Sequence, residues 1–326
     1  MSLEIKILMI TFVLSIVLGF MIIPLLRKMK VGQIERDDGP ASHLKKQGTP
    51  TMGGIIIIIG MAMAVVGTFA YLWITGKPEV GKKLLPMLLL TVGFGAIGFI
   101  DDYKKLVLKN TDGLKPSYKM LGLLVISVAY VLFLLEGLSL GTDTYIPIVK
   151  TSITLPTYLY VPAAIFVILA TTNAINLTDG IDGLSSSVSA IIITCLTVIG
   201  IQLGNPEVSL FGSIVIGAVL GFLMFNLHPA KVFMGDTGSL LLGGVISGLA
   251  LYLKMPLLLL IIALIPVLET LSVIIQVTYF KKTGKRFFKM APLHHHFELS
   301  GWKENKVVIV FSMITLIFCL VGLKTI

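Results

Sequence analysis

Long runs of apolar residues, separated by short polar stretches, account for most of this 326-residue chain. The runs are continuous rather than alternating, which predicts membrane-spanning helices instead of barrel strands, because lipid offers no partners for backbone polar groups. A span needs about 20 mostly apolar residues. The pattern predicts about ten spans, the fourth and eighth of them short, over residues 3–26, 52–74, 84–100, 120–135, 159–175, 184–201, 210–227, 240–253, 257–280 and 307–323.

Composition agrees with a membrane protein, since hydrophobic residues make up 56% of the chain and charged residues 13%. Little sequence lies outside the predicted spans. We therefore predict an all-α polytopic fold and a single integral membrane domain over residues 1–326. The first apolar run lacks a small-residue cleavage site, so we expect it to be retained as a span.

The Lys and Arg residues predict the orientation of the chain. Loops that follow odd-numbered spans carry 19 of them, whereas loops that follow even-numbered spans carry 5. Cytoplasmic loops hold the excess of Lys and Arg, so we predict that both termini are extracytoplasmic. The formal net charge of +9 then follows mainly from topology. No basic soluble domain is predicted, so we do not expect nucleic-acid binding.

Aspartates are concentrated on one side of the predicted membrane. Of the nine in the chain, eight fall on the cytoplasmic side and only Asp143 falls outside. The Lys and Arg rule does not explain this bias, because Asp contributes little to topology. Carboxylates at membrane boundaries are costly and typically functional. We predict one cytoplasmic-face site for a divalent cation and an anionic, phosphorylated substrate.

The third apolar segment ends in two adjacent acids, Asp101 and Asp102, followed by Lys104 and Lys105. This pattern is also typical of an ordinary solvated helix end. In the functional interpretation, one carboxylate faces a metal or nucleophile and a lysine holds its neighbour. Two adjacent carboxylates repel each other unless a cation compensates.

Polar residues recur at every third position from the end of the fifth span: Asn173, Asn176, Asp179 and Asp182. At about 100° per residue, neighbours in this series share a helix face while the whole run spirals. The asparagines begin inside an apolar run, where each needs a hydrogen-bond partner. This favours a binding site over a simple polar turn. The intervening glycines predict a helix end and a close approach of backbone to ligand.

A third polar stretch, residues 226–239, joins the seventh and eighth spans. Asp236 lies there between Gly235 and Gly238. An Asp followed by Thr and Ser is also a common helix N-cap. A helix start after a Gly-rich turn also favours phosphate, so capping and substrate binding are compatible.

The last cytoplasmic loop contains His294, His295 and His296. Adjacent histidines without cysteine or His-x₃-His spacing are a weak zinc pattern, so we expect the imidazoles to contact phosphate or another polar part of a substrate. The basic and aromatic residues 281–289 are typical of an interfacial anchor, with substrate contact as the alternative. The preceding span contains Pro266, which can bend it, and Glu269, which we expect to have a structural partner in the bundle.

Together these elements resemble those of the phospho-N-acetylmuramoyl-pentapeptide-transferase family, in the polyprenyl-phosphate N-acetylhexosamine-1-phosphate transferase superfamily. The superfamily elements are Asp-Asp-x-x-Lys from residue 101, Asn-x-x-Asn-x-x-Asp-Gly-x-Asp-Gly-Leu from residue 173 and Gly-Asp-x-Gly-Ser from residue 235. Stretches at residues 36–40, 48–54 and 292–298 point to the muramoyl-pentapeptide branch. The resemblance covers essentially the whole chain.

The resemblance implies ten transmembrane helices with a broken ninth, a bacterial inner-membrane location, a cytoplasmic active site and a homodimer. It implies transfer of phospho-N-acetylmuramoyl-pentapeptide from its UDP-linked form to undecaprenyl phosphate, which yields lipid I and UMP in peptidoglycan synthesis. Mg²⁺ is the implied cofactor. One pyrophosphate linkage replaces another, so the step needs no separate energy source.

The resemblance also implies roles for single residues. Asp236 is the expected metal ligand, and Asp101 is expected to orient or deprotonate the lipid phosphate, with Asp102 beside it as a further catalytic residue. We expect Asn173, Asn176 and Asp179 to line the nucleotide and diphosphate pocket. Phe233 is expected to stack on uracil. The other expected substrate-binding residues are Lys46, Lys119, Asn226, Gln276, His295 and His296.

Two other functions and one mechanistic choice stay open. A sister transferase that uses a UDP-N-acetylhexosamine without the peptide would share the aspartates but not the triple histidine. A cation-coupled transporter would also contain intramembrane acids and a bent helix, but its acids lie near the midplane rather than at one face. Transfer itself is either direct or passes through an aspartyl intermediate.

Overall fold

The computed structural model of this chain describes residues 1–29, 46, 48–108 and 113–326. The predicted first-loop stretch at residues 36–40 lies outside the described residues, as does Asp112. The α-helices are α1 Leu3–Lys28, α2 Gly54–Ile74, α3 Pro78–Lys82, α4 Leu84–Leu106, α5 Pro116–Leu132, α6 Thr157–Thr178, α7 Leu184–Gln202, α8 Pro206–Asn226, α9 Gly235–Tyr252, α10 Leu259–Ile262, α11 Leu264–Thr283, α12 Leu293–Glu298 and α13 Glu304–Lys324. A π-helical turn, Phe133–Gly137, continues α5.

Nine helical segments in the described part of the chain are long and apolar enough to cross a membrane. They are α1, α2, α3 joined to α4, α5 with its π-helical turn, α6, α7, α8, α11 and α13. The fourth predicted span, short in the sequence pattern, is lengthened by the π-helical turn to 22 residues. The chain is therefore a mostly helical, multi-pass membrane protein.

The eighth predicted span falls on α9, which is 18 residues long and is not among those nine segments. All its residues from Thr237 to Tyr252 are buried. It packs against α2, α4, α6, α7 and α8. Helix α9 is thus the core of the bundle, and its first turn lies where several other helices begin or end.

The ninth predicted span, residues 257–280, is interrupted in the structure. A 3-10 turn, Pro256–Leu258, leads into the single turn of α10, and Ala263, with φ −104° and ψ 32°, separates α10 from α11. Pro266 falls in the first turn of α11 rather than in mid-helix. The first-turn N–H groups have no intrahelical partner, so proline is tolerated there. The break therefore lies before the proline, at Ala263.

A short hairpin departs from the all-α prediction. Strands β1, Asp143–Ile146, and β2, Thr151–Thr154, pair antiparallel, with Thr144 opposite Ile153. Thr and Ile occur in both strands and Tyr145 in β1, and such residues favour strands. The all-α expectation is wrong at this point because these residues lie in the connection between two helices, where backbone groups pair with each other instead of continuing a helix.

Glycines let two helices reach the first turn of α9. A Cβ added at Gly54 in α2 would overlap the backbone of Gly238, and one at Gly98 in α4 would overlap the carbonyl of Asp236. Without side chains at these positions the backbones approach closely, as is common between membrane helices. These contacts bring the end of α4, with its two acids, beside Asp236.

Candidate active site

Asp102 caps α9 from a neighbouring helix. Its Oδ1 accepts a hydrogen bond from the backbone amide of Asp236 at 3.2 Å, and its Oδ2 accepts from the amide and hydroxyl of Thr237 at 2.9 and 2.6 Å. These amides have no partner within their own helix. The suggestion that Asp236 is itself the N-cap is wrong, because Met234 occupies that position and Asp236 lies within the first turn.

Asp101, although adjacent, has different partners. Its Oδ1 accepts a hydrogen bond from the amide of Leu114 at 2.7 Å. Its Oδ2 lies 2.6 Å from Lys105 Nζ and 3.6 Å from Lys119 Nζ. Successive residues of a helix point in directions about 100° apart, and the two acids consequently face different groups.

Asp236 lies at the meeting point of three helices. Asn176 Nδ2 from α6 donates to Asp236 Oδ1 at 2.8 Å and also to Ser239 Oγ at 2.8 Å. Lys119 Nζ from α5 donates to Asp236 Oδ2 at 2.6 Å, and Lys105 Nζ from α4 lies 3.3 Å from the same oxygen. Asp101 and Asp236 thus share two lysines, and the structure brings them together with Asn176 and Lys119.

The oxygens gathered here suit a hard divalent cation. Carboxylates are the ligands that Mg²⁺ prefers in proteins. The Asp236 side chain is 19% exposed, whereas that of Asp101 is only 3% exposed. Asp236 is therefore the carboxylate of this pair that a ligand can reach more readily.

Asp179 directly follows the last residue of α6, and its carboxyl faces a negative environment. Burial, and then the charges of Asp236, Asp102 and Asp182, raise the pKa of Asp179 to about 8. The carboxyl is therefore mostly protonated at neutral pH. Asn173, one turn before Asn176, is bound more locally, because its Nδ2 donates to the carbonyl of Leu169 at 2.7 Å.

Lys46 joins a second group of charges. Its Nζ lies 2.7 Å from Asp182 Oδ1 and 2.5 Å from Glu304 Oε1. Burial by itself would lower the pKa of Lys46, but the hydrogen bonds to Asp182 and Glu304 outweigh it and hold the pKa above its usual value. His228 Nδ1 lies 3.0 Å from Asp182 Oδ2. A metal could also fit Asp182, His228 and Glu304, whose ligand atoms lie within 4.8 Å of one another, but Lys46 already supplies positive charge there.

Phe233 lies beside Lys46, whose Nζ is 6.0 Å from the centre of the ring. The backbone of Phe233 is fixed on both sides, because its amide donates to the carbonyl of Pro50 at 2.8 Å and its carbonyl accepts from Gly53 N at 2.8 Å. Phe233 is partly exposed.

Asn226 and Gln276 both stabilise loops. Buried Asn226 accepts from Ser186 Oγ at 2.7 Å and donates to the carbonyl of Val232 at 3.0 Å. Gln276 Oε1 accepts from the amides of Phe287 and Phe288 at 3.1 and 2.9 Å. Asn226 therefore holds the segment before Phe233, and Gln276 holds the segment before the three histidines.

The three histidines differ in their surroundings. His294 is fully buried, and its Nδ1 lies 3.1 Å from Oε1 of Glu269, which is also fully buried. A Cβ added at Gly180 would overlap His294 Nε2. The structural partner expected for Glu269 is therefore His294. His295 Nδ1 lies 2.9 Å from Glu298 Oε2, and His296 Nδ1 accepts from the amide of Lys289 at 3.1 Å.

Glu304 is a site residue that the sequence did not suggest. An acid at the start of an apolar helix is usually read as ordinary helix-end chemistry. The one feature of the sequence that sets Glu304 apart is that the described part of α13 contains no other acidic residue. Its hydrogen-bond donors Lys46 and Asp182, however, come from segments more than 100 residues away, and no local pattern contains them.

Two family models match the chain. The model described as Glycosyl transferase family 4 matches residues 84–254, and Phospho-N-acetylmuramoyl-pentapeptide-transferase signature 1 matches residues 46–58. Relatives named phospho-N-acetylmuramoyl-pentapeptide-transferase match over almost the full length of both chains. The relative from Clostridium botulinum (strain Eklund 17B / Type B) is 50% identical over 311 residues, which are 95% of this chain and 93% of the relative.

The relative from Acetivibrio thermocellus is 46% identical over 314 residues, with 96% of this chain and 92% of the relative covered. The relative from Caldicellulosiruptor bescii is 45% identical over 317 residues, with coverage of 97% and 95%. The chain belongs to the phospho-N-acetylmuramoyl-pentapeptide-transferase family. The family resemblance seen in the sequence motifs is thereby confirmed, and the chain is a transferase rather than a transporter.

The family's signature stretch lies at the centre of the site. It begins with Lys46, which contacts Asp182 and Glu304. Further along, Gly53 pairs with the backbone of Phe233, and Gly54 packs against Gly238. The signature stretch therefore joins the charged group of Lys46, Asp182 and Glu304 to the start of α9.

Proposed function

We propose that this chain transfers phospho-N-acetylmuramoyl-pentapeptide from its UDP-linked form to undecaprenyl phosphate, forming lipid I and releasing UMP. The supporting observation is the convergence of Asp101, Asp236 and Lys119 from three separate helices. Phosphoryl transfer depends mainly on positioning and on the stabilisation of negative charge. Carboxylates for a cation and lysines for phosphate oxygens meet both needs.

In the proposed step, an oxygen of the lipid phosphate attacks the β-phosphorus of the donor. The bond from that phosphorus to the UMP oxygen breaks, and UMP leaves with the electron pair. A phosphate monoester has its second pKa near 6 and is mostly dianionic at neutral pH. Asp101 therefore acts chiefly by orienting the lipid phosphate through Lys105 and Lys119, with little need to remove a proton.

Mg²⁺ is the proposed cofactor, with Asp236 as its ligand. When bound, Mg²⁺ offsets the charge of the diphosphate and polarises its phosphorus. Asp102 is proposed to contribute to catalysis by fixing the turn that carries Asp236. Asn176, which donates to Asp236 Oδ1, holds that carboxylate in place.

The donor is proposed to lie between the two charged groups, with uracil stacked on Phe233 and the diphosphate near Asn173, Asn176 and Asp179. The remaining proposed contacts to phosphate, sugar or peptide come from Lys46, Lys119, His295 and His296. For Asn226 and Gln276 the bonds to neighbouring loops support an indirect part in substrate binding.

We also propose the arrangement of the protein in its membrane. Counting α9 gives ten spans in one domain over residues 1–326, with both termini extracytoplasmic and the active site on the cytoplasmic face of the bacterial plasma membrane. The supporting observation is the excess of Lys and Arg in loops on the side where α4 ends, α5 begins and α6 ends. We also propose that two copies of this chain form a homodimer in the membrane.

A reconstitution experiment tests the function. Purified protein in detergent is supplied with UDP-N-acetylmuramoyl-pentapeptide, undecaprenyl phosphate and Mg²⁺, with and without a chelator, and UMP is measured. We expect UMP release that needs both substrates and is lost with the chelator, and no release from UDP-N-acetylglucosamine. Equal release from that donor would favour the sister transferase. UMP release in a single turnover without lipid phosphate would support an aspartyl intermediate.

A further inference from the structure

Glu304, in the first turn of α13, contacts three segments that are far apart in the chain. Its Oε1 accepts from Lys46 Nζ at 2.5 Å and from the backbone amide of Asp182 at 2.6 Å. Its Oε2 lies 3.3 Å from His228 Nδ1. One carboxylate therefore connects the signature stretch, the loop after α6 and the loop after α8.

We propose that Glu304 is a positioning residue for the donor nucleotide and acts through Lys46 and the Asp182 loop. This inference rests on the proposed function. Lys46 Nζ lies 6.0 Å from the centre of the Phe233 ring, the group proposed to stack on uracil. Glu304 thus fixes the position and charge of a lysine that lies beside that ring.

Burial makes this arrangement specific. The side chains of Glu304 and Asp182 are 8% and 2% exposed, and a buried charge is tolerated only where it is paired and hydrogen-bonded. Two buried carboxylates share the single ammonium of Lys46. If either one is neutralised, the lysine loses half of its charged partners, and its position beside Phe233 is less defined.

An ordinary helix-end role does not account for these contacts. Acids in a first turn are favoured by the helix dipole, and local capping would direct the carboxylate at the amides of its own helix. The Glu304 carboxylate instead bonds to Lys46 and Asp182, and α13 has no side-chain cap at Lys303. The carboxylate is therefore used to hold other segments.

The test compares Glu304→Gln with Glu207→Gln. Glu207 is a matched control because it also lies in the first turn of a spanning helix, is 7% exposed on its side chain and pairs with one lysine, Lys83, at 2.8 Å. It lies at the opposite end of α8 from the site.

For Glu304→Gln we expect the KM for the UDP-linked donor to rise about tenfold, as for loss of a charge-assisted hydrogen bond. The kcat and the KM for undecaprenyl phosphate should change by less than about twofold, and Glu207→Gln should change none of the three values.

A double-mutant cycle tests whether Glu304 acts through Lys46. In a Lys46→Met background, Glu304→Gln should raise the donor KM by less than about twofold, because the shared interaction is already lost. Glu304→Asp keeps the charge on a shorter side chain, and its donor KM should lie between those of wild type and Glu304→Gln. Binding of UMP alone, measured by calorimetry, should be strongest in the wild type, weaker in Glu304→Asp and weakest in Glu304→Gln.

The inference is overturned if Glu304→Gln leaves the donor KM unchanged, or if Glu207→Gln produces the same increase. It is also overturned if the effects of Lys46→Met and Glu304→Gln simply add. If Glu304→Gln fails to fold, Glu304→Asp is compared with Glu207→Gln instead. A donor KM that is unchanged in Glu304→Asp, or raised equally in both variants, then overturns the inference. A wild-type protein that releases no UMP contradicts the proposed function instead, so the two failures are distinguishable.

Discussion

Asp102 Oδ2 accepts hydrogen bonds from both the backbone amide and the hydroxyl of Thr237, at 2.9 and 2.6 Å. This pair fastens the end of α4 to the start of α9, one residue from Asp236. Asp101, next to Asp102, instead contacts Lys105 at 2.6 Å. Two adjacent acids of one motif thus have separate structural tasks, one in holding the helix start and one in facing the shared lysines.

The first prediction separates these two acids. Replacement of Asp102 by Ala removes a helix cap and leaves amides of α9 without a partner, which costs about 1–2 kcal/mol. We expect Asp102→Ala to lower both the thermal unfolding temperature in detergent and the rate of UMP release. Asp101→Asn should lower the rate while the unfolding temperature stays near that of wild type. An unchanged unfolding temperature in Asp102→Ala would show that the cap contributes little.

The second prediction concerns the metal ligand. Asp236→Asn removes the charge that we propose binds Mg²⁺. The reverse reaction, in which radiolabelled UMP reacts with lipid I to give labelled UDP-N-acetylmuramoyl-pentapeptide, should be abolished at every Mg²⁺ concentration. Asp143→Asn is the control, because Asp143 also forms an ion pair with a lysine, Lys254 at 2.9 Å, but lies in the hairpin. A near-normal rate of the reverse reaction in Asp236→Asn would refute the metal role.

The third prediction is a pH dependence of Mg²⁺ binding. Burial and neighbouring negative charges raise the pKa of Asp179 to about 8, so the folded protein holds a proton there at neutral pH. The charge of Asp236 contributes to that shift, and a cation bound at Asp236 would favour loss of the proton. Mg²⁺ and the proton therefore oppose each other.

The apparent affinity for Mg²⁺ should consequently rise with pH up to about 8, by at most about tenfold per pH unit, and should level off above it. The measurement is the Mg²⁺ concentration for half-maximal UMP release between pH 6.5 and 9. Asp179→Asn cannot titrate, so its profile over this range should be flatter. A wild-type profile as flat as that of the variant would contradict the linkage.

The fourth prediction concerns the contact between Gly180 and His294. A Cβ at residue 180 would overlap His294 Nε2, and overpacking of a well-packed site costs about 1–3 kcal/mol. Gly180→Ala should therefore lower the unfolding temperature and UMP release. Gly67→Ala is the control, because nothing lies within 4 Å of a Cβ there, and it should leave both values near wild type. Equal behaviour of the two variants would mean that the loop after α6 can move away from the histidine.

Much of the fold followed from the sequence because lipid imposes a simple rule. Apolar runs in a bilayer must be helical, and nine of the ten predicted spans coincide with helical segments of sufficient length in the described residues. The sequence indicated Pro266 as a point where the ninth span can bend, whereas the helix is interrupted at Ala263, since proline in a first turn leaves the helix intact. The hairpin around residue 148 was missed, because a few residues of strand between two helices give little periodic signal.

The site was only partly predictable. The motifs identified Asp101, Asp236 and Asn176, and the structure brings these together. Asp102 was identified by the motifs and Asn226 by the family resemblance, yet both side chains accept or donate hydrogen bonds that hold neighbouring backbone in place. Glu304 was absent from the motifs altogether.

The sequence by itself determined where the helices run and that the acids lie at their ends, because hydropathy and the charge of the loops are local properties of the chain. Only the tertiary structure decided which acid contacts which lysine. Asp182 and Glu304 are 122 residues apart and meet because helices close-pack and a buried charge must find a partner wherever the packing places one. That requirement is met across the bundle, and it leaves no trace in any single stretch of sequence.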